Sequence, residues 1–153
     1  MPPPIIYVDA DACPVKTEVL RIADRAGTET VLVANGGLRP SRDPLVRTVI
    51  VPQGADAADD WIVEHCRAGD IIVTADILLA HRAVEKGALT IGPTGKRFTP
   101  DSIGMALAVR DLKQDLRESG EIAGYNPGFS ARNRSQFTSA FAQLVQEAKR
   151  GRG

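Results

Sequence analysis

An α/β fold with a mainly parallel sheet is what this sequence predicts, and three observations predict it. Short, fully apolar runs end in polar residues, stretches of helical periodicity lie between those runs, and connections punctuated by Gly and Pro join the two kinds of segment. Strands alternating with helices over short connections imply right-handed βαβ crossovers, and therefore parallel strands flanked by helices. At 153 residues with 43% apolar content, the chain suits a single domain with a full core.

The first run, Ile5 to Val8, reads as a strand covered on both faces, and it stops abruptly at Asp9, Ala10 and Asp11. Pro14 suits the first position of the helix that follows, whose apolar residues Val15, Val19, Ile22, Ala23 and Ala26 recur at helical spacing until Gly27 ends it. Thr30 to Ala34 and Thr48 to Val51 are β-branched runs bounded by turn signals, and both read as buried strands. Between them lies a Gly- and Pro-punctuated loop with Arg39 and Arg42, followed by Arg47. In residues 54–66, Asp56 is the candidate N-cap of a second helix, with Ala58, Trp61, Ile62 and Cys66 on its apolar face and an acidic first turn. Ile71 to Val73 repeats the design of the first strand, ending in Thr74, Ala75 and Asp76. A short helix then runs toward Gly87, and Ala88 to Ile91 is a fifth strand.

Beyond Gly92 the segment GPTGK is not a P-loop, because its glycines are too close and Arg97 stands where a cation-binding hydroxyl is required. A helix opened near Pro100 should bury Ile103, Ala106, Leu107 and Leu112. Arg110, Lys113 and Arg117 fall at neighbouring positions of that helix, suited either to a phosphate or to ion pairs with Asp111, Asp115 and Glu118. Residues 121–134 read as an irregular loop, followed by a last helix presenting Phe137, Phe141, Leu144, Val145 and Ala148.

Nineteen basic and nineteen acidic residues cancel, so no global field draws in nucleic acid and such a partner would need a local patch. No stretch approaches the roughly 20 apolar residues of a membrane span, and the start of the chain lacks a basic segment and a long apolar run, which together give a cytoplasmic expectation. Cys13 and Cys66 form no CxxC pair and only His65 and His81 are present, so reduced thiols are expected and a zinc site of usual spacing is not.

The aspartates carry the chemistry. Parallel α/β sheets bind ligands at the carboxyl ends of their strands, where Asp9, Asp11 and Asp76 lie, and a helix start facing the same edge would add Asp59 or Asp60. So many negative charges at one edge require protons or a cation, and an all-oxygen set without His or Cys suits Mg²⁺ or Mn²⁺. The expected roles are Asp9 and Asp76 as principal metal ligands, Asp11 and Asp59 as ligands or water-positioning groups, and Asp60 as a support behind them. Thr74 would steer Asp76 or a phosphate, and Lys16 and Arg110 are the candidate substrate-binding cations. This is the machinery of phosphodiester hydrolysis.

The segments VDADACPVK, VAN, DAADDWI, DIIVTADI and GYNPGF resemble the YaiI/YqxD family of bacterial proteins, which is thought to be related to PIN-like nucleases. The resemblance implies a parallel α/β core over residues 5–91, a helical extension over 92–153, bound Mg²⁺ or Mn²⁺, and cleavage of RNA or DNA. Asp9 matches the PIN-like acidic residue after the first strand, Asp59 the one opening a later helix, with Ile62 following it, and Asp76 the Asp of T-x-D. Where such enzymes often carry a further acid after T-x-D, this chain has Ile77, Leu78 and Leu79. Two other readings share these residues. One is a haloacid-dehalogenase-like phosphatase with Asp9 as nucleophile and Asp11 as acid/base, although the chain leaves little room after Asp11 for the usual flap. The other is a metal- or nucleotide-binding module that does not cleave.

Overall fold

The structure is a computed structural model that describes residues 3–11, 13–37, 39–54, 56–118 and 129–152, without the side chains of 113–118 and 152. Six strands form one sheet in the order β3-β2-β1-β4-β5-β6. These are β1 (Ile6–Asp9), β2 (Thr30–Ala34), β3 (Val46–Ile50), β4 (Ile71–Val73), β5 (Leu89–Ile91) and β6 (Arg97–Phe98). Neighbours are parallel except β6, which returns antiparallel to β5. The sixth strand corrects the expected five: the Gly92–Lys96 turn, closed by Gly92 N–H to Lys96 O at 2.9 Å, folds the segment after β5 back onto the sheet edge. The helices are α1 (Lys16–Ala26), α2 (Ala57–His65), α3 (Ile77–Glu85), α4 (Pro100–Glu118) and α5 (Ala131–Arg152). Among the described residues, no helix is long and apolar enough to cross a membrane.

Side-chain alternation along the strands divides the core into two layers. On one face Ile6, Val8, Leu32, Ile71 and Val73 pack against Val19, Ile22 and Ala23 of α1 and the Phe137, Phe141, Leu144, Val145 stripe of α5. On the other, Tyr7, Val31, Val33 and Ile72 meet Ala58 and Ile62 of α2 and Leu79 and Ala83 of α3. The same alternation turns Asp9 and Thr74 toward the α2 and α3 layer. The sheet order also matters: β1 leads outward to β2 and β3, whereas β4 begins the opposite half. The crevice between the ends of β1 and β4 is therefore the topological switch point, the position where open α/β sheets receive ligands.

Several local expectations change. Helix α1 begins at Lys16, with Val15 at the N-cap and Pro14 in the preceding turn, and it ends at Gly27 in the left-handed conformation (φ 66°). Strand β3 starts two residues earlier than expected, and as an edge strand it is half-exposed, with Ile50 53% exposed. Leu112 of α4 is 58% exposed, since the contacts of α4 with α3 bury Ile103 and leave the opposite side uncovered. The GYNPGF segment lies outside the described residues except for Phe129, and α5 begins at Ala131 where a loop was expected to continue.

Asp70 fixes the amino edge of the sheet. It is fully buried, its Oδ1 accepts from Ile5 N–H at 3.0 Å, and its Oδ2 accepts from Arg67 N–H at 2.9 Å, joining the starts of β1 and β4. Asp70→Asn turns an amide NH₂ toward one of these N–H donors. It should cost about 2 kcal/mol, read as a lower urea midpoint with an unchanged m-value.

Candidate functional site

Asp9 is the last residue of β1, and the parallel register that pairs Val8 with Val73 brings it level with Thr74. The Thr74 hydroxyl, 1% exposed, donates to Asp9 Oδ2 at 3.1 Å and accepts from Asp76 N–H at 3.0 Å. Thr74 thus steers Asp9 through its side chain and the Asp76 backbone through its oxygen. Asp76 is the N-cap of α3, its carboxylate accepting from Leu78 N–H at 2.9 Å and Leu79 N–H at 3.4 Å. Asp56 holds the N-cap position of α2, as expected, yet its side chain makes no cap bond. The capping carboxylate is therefore Asp76.

Asp59 points inward from the first turn of α2 and is 8% exposed. Burial, reinforced by the charges of Asp76 and Asp9 and by a side-chain hydrogen bond with Asp76, pushes its pKa up to about 7. Asp9 is also raised, first by burial and then by Asp76 and Asp11, with the Thr74 hydrogen bond opposing the rise. Asp9, Asp59 and Asp76 thus come together from β1, α2 and the β4–α3 junction as one electrostatic unit.

Of the remaining candidates, Asp11 borders this unit and Asp60 faces away from it. Asp11 is exposed, and its Oδ2 accepts from Asn35 N–H at 2.9 Å, tying the β1–α1 loop to the end of β2. Asp60, one position along α2 from Asp59, faces outward and pairs with Arg82 at 2.8 Å, both side chains being substantially exposed. Arg110 lies on α4 with its guanidinium 3.5 Å from Asp111. Lys16 opens α1, where its charge acts on the Cys13 thiol. Cys13 and Cys66 are both free, and burial is the leading cause of the raised pKa of each.

A cleft of about 300 Å³ opens over this edge, lined by Asp9, Asp11, Cys13, Val73, Thr74 and Asp76, with Pro14, Ala75 and Pro93 around them. Asn35 escaped the sequence reading as a site residue because Asn-Gly-Gly reads as a turn. Its Nδ2 also donates to Pro52 O at 3.0 Å, so it bridges the ends of β2 and β3 while holding Asp11. The position of Asn35 at a strand's carboxyl end was the available signal.

The model of the "Uncharacterized BCR, YaiI/YqxD family" matches residues 7–147. The chain belongs to the YaiI/YqxD family. Among its relatives, UPF0178 protein mlr0875 of Mesorhizobium japonicum is 59% identical over 148 residues, covering 97% of this chain and 96% of that protein. UPF0178 protein Atu1478 of Agrobacterium fabrum is 57% identical over 147 residues, covering 96% of each. UPF0178 protein R01393 of Rhizobium meliloti is 58% identical over 146 residues, covering 95% of this chain and all of that protein. The match to the family model spans the acidic edge and both helical layers.

Proposed function

We propose that this YaiI/YqxD family member is a divalent-cation-dependent phosphodiester hydrolase, a PIN-like nuclease with RNA as its substrate. The observation that carries the reading is the mutual electrostatic contact of Asp9, Asp59 and Asp76 at the switch point of the sheet. Buried like charges without a basic partner raise one another's pKa, and such arrangements mark functional sites more than structural ones.

Whether these residues fit a cation can be judged from their donor chemistry. Three carboxylates with a hydroxyl beside them are the all-oxygen donor type that Mg²⁺ or Mn²⁺ favours, and a cation would offset the neighbouring charges that help raise Asp59. Among the described residues, no three His, Cys, Asp or Glu side chains stand arranged around one ion, so a cation would require side-chain adjustment. Asp9, Asp59 and Asp76 would hold it. When bound, such a cation supplies positive charge for the developing negative charge of a phosphodiester and lowers the pKa of a water.

The protein's own contribution is orientation. Thr74 holds the Asp9 carboxylate at the mouth of the cleft, and the amides of Leu78 and Leu79 hold Asp76. Neither Lys16, at the start of α1 two residues after the cleft-lining Pro14, nor Arg110 on α4 lines the cleft itself.

The test is a nuclease screen over single-stranded and structured RNA and DNA with Mg²⁺ or Mn²⁺. The expected result is cation-dependent cleavage of RNA by the native chain that falls at least about tenfold in Asp9→Asn. Equal activity in both proteins would identify a contaminant and remove the assignment.

A further inference from the structure

Among the described residues, strand β3 has no strand on its outer side. Thr30 N–H donates to Leu45 O at 2.8 Å and Val51 N–H to Ala34 O at 2.9 Å. In the parallel register with β2, these bonds turn the backbone groups of 45, 47, 49 and 51 inward and those of Val46, Thr48 and Ile50 outward. Val46 N–H is already used, donating to Asp43 O at 3.0 Å. Among the described residues, no bond outside the sheet ladder is made by Val46 C=O, by either backbone group of Thr48, or by either of Ile50. Five outward groups are left in a short row.

Run backwards about Thr48, the residues of this row keep their apolar character on the outward positions, Arg47 opposite Val49 being the one mismatch. Pro44 and Pro52 lie at equal distances from Thr48, and inside them Leu45 mirrors Val51 while Val46 mirrors Ile50. We infer that β3 pairs antiparallel with β3 of a second copy about a two-fold axis midway between the two Thr48 residues, joining two sheets edge to edge. In that register Thr48 faces Thr48 as a hydrogen-bonded pair, which donates and accepts in both directions. Ile50 N–H meets Val46 C=O of the other copy on either side, making four backbone bonds in all. Ile50, 53% exposed in the single chain, packs against the half-exposed Val46 of the second copy on the α1 side of the sheet.

The usual defences of an edge strand are weak here. The one charged residue of the strand, Arg47, is turned to the opposite face, where its guanidinium lies 5.9 Å from the Trp61 ring, so it does not guard the edge. The prolines end the pairing without interrupting it, because both lie outside the strand. A second copy is the occupant that the mirror symmetry selects. With a formal net charge of zero, two copies meet without net repulsion. A contact of two five-residue strands belongs to the small, weak class of interfaces, so the association should appear at high micromolar protein and above.

Sedimentation velocity and amide hydrogen exchange over a concentration series test this. Mass should shift from monomer toward dimer with concentration, and exchange at Thr48 and Ile50 should slow in parallel, while Arg47 and Val49, already bonded to β2, stay unchanged. Ile50→Lys and Thr48→Pro should each weaken the dimer at least about tenfold. Ile50→Lys alters only an exposed side chain, so it decides the matter if the proline variant fails to fold. A chain that remains monomeric to millimolar concentration, or a dimer that Ile50→Lys leaves intact, would overturn the inference.

Discussion

Replacing Asp59 by Asn is expected to stabilise the fold at neutral pH while weakening the proposed cation binding. With its pKa raised from 3.8 to about 7, Asp59 keeps a proton in the folded chain that the unfolded chain releases once the pH exceeds its ordinary value. Folded protein therefore binds more protons than unfolded between about pH 4 and pH 7, and stability falls as the pH rises through that window before levelling off. The loss is present in full above the folded pKa and absent below the unfolded one. Asp59 is 8% exposed, but its partners border an open cleft, so solvent screening holds the effect to about 1–2 kcal/mol. The amide introduced by Asp59→Asn does not titrate and can still donate to Asp76. Urea denaturation should show the variant more stable than the native chain above about pH 7.5 and equal to it near about pH 4. A gain in stability at the expense of function is what a site of crowded acids predicts.

The largest loss of stability is expected at Gly95, in the turn between β5 and β6. Its φ of +92° disfavours any side chain, and a Cβ built there would stand 2.8 Å from the carbonyl oxygen of Gln136 and 3.2 Å from Phe137 N. These are backbone atoms of α5, so neither can yield without moving the helix whose Phe137 and Phe141 fill the core. Gly95→Ala should therefore cost about 3 kcal/mol, or roughly 6–12 °C in Tm. Gly104→Ala supplies the contrast. It lies within α4 with nothing within 4 Å of an added Cβ, and it should stabilise by about 0.5–1 kcal/mol.

What could be read from the sequence follows a physical pattern. Apolar runs of three or four residues ending in Asp9 and in Thr74-Ala75-Asp76 are strong signals, because a strand buried on both faces admits no charge until it leaves the sheet. The α5 stripe was equally plain from its spacing, and all five of its expected core residues are buried. Strand β3 misled because β-branched composition marks strands without distinguishing a central strand from an edge. Burial there depends on whether another strand follows outside it. Asp59 and Asp60 differ by about 100° around the helix, so spacing alone could not say which one turns inward. Packing of Ile62 and Ala58 on the sheet decides for Asp59. Asp70 went unnoticed because Gly-Asp before a strand reads as an ordinary turn, and its burial arises only when the starts of β1 and β4 close over it.

The acidic site is tested most directly by calorimetric titration of Mn²⁺ into the native chain and into Asp59→Asn and Asp9→Asn, each first shown to be folded. Saturable binding in the native chain, weakened at least about tenfold in both variants, is the predicted result. No binding to the native chain, or equal binding in all three proteins, would contradict a cation site built from these carboxylates.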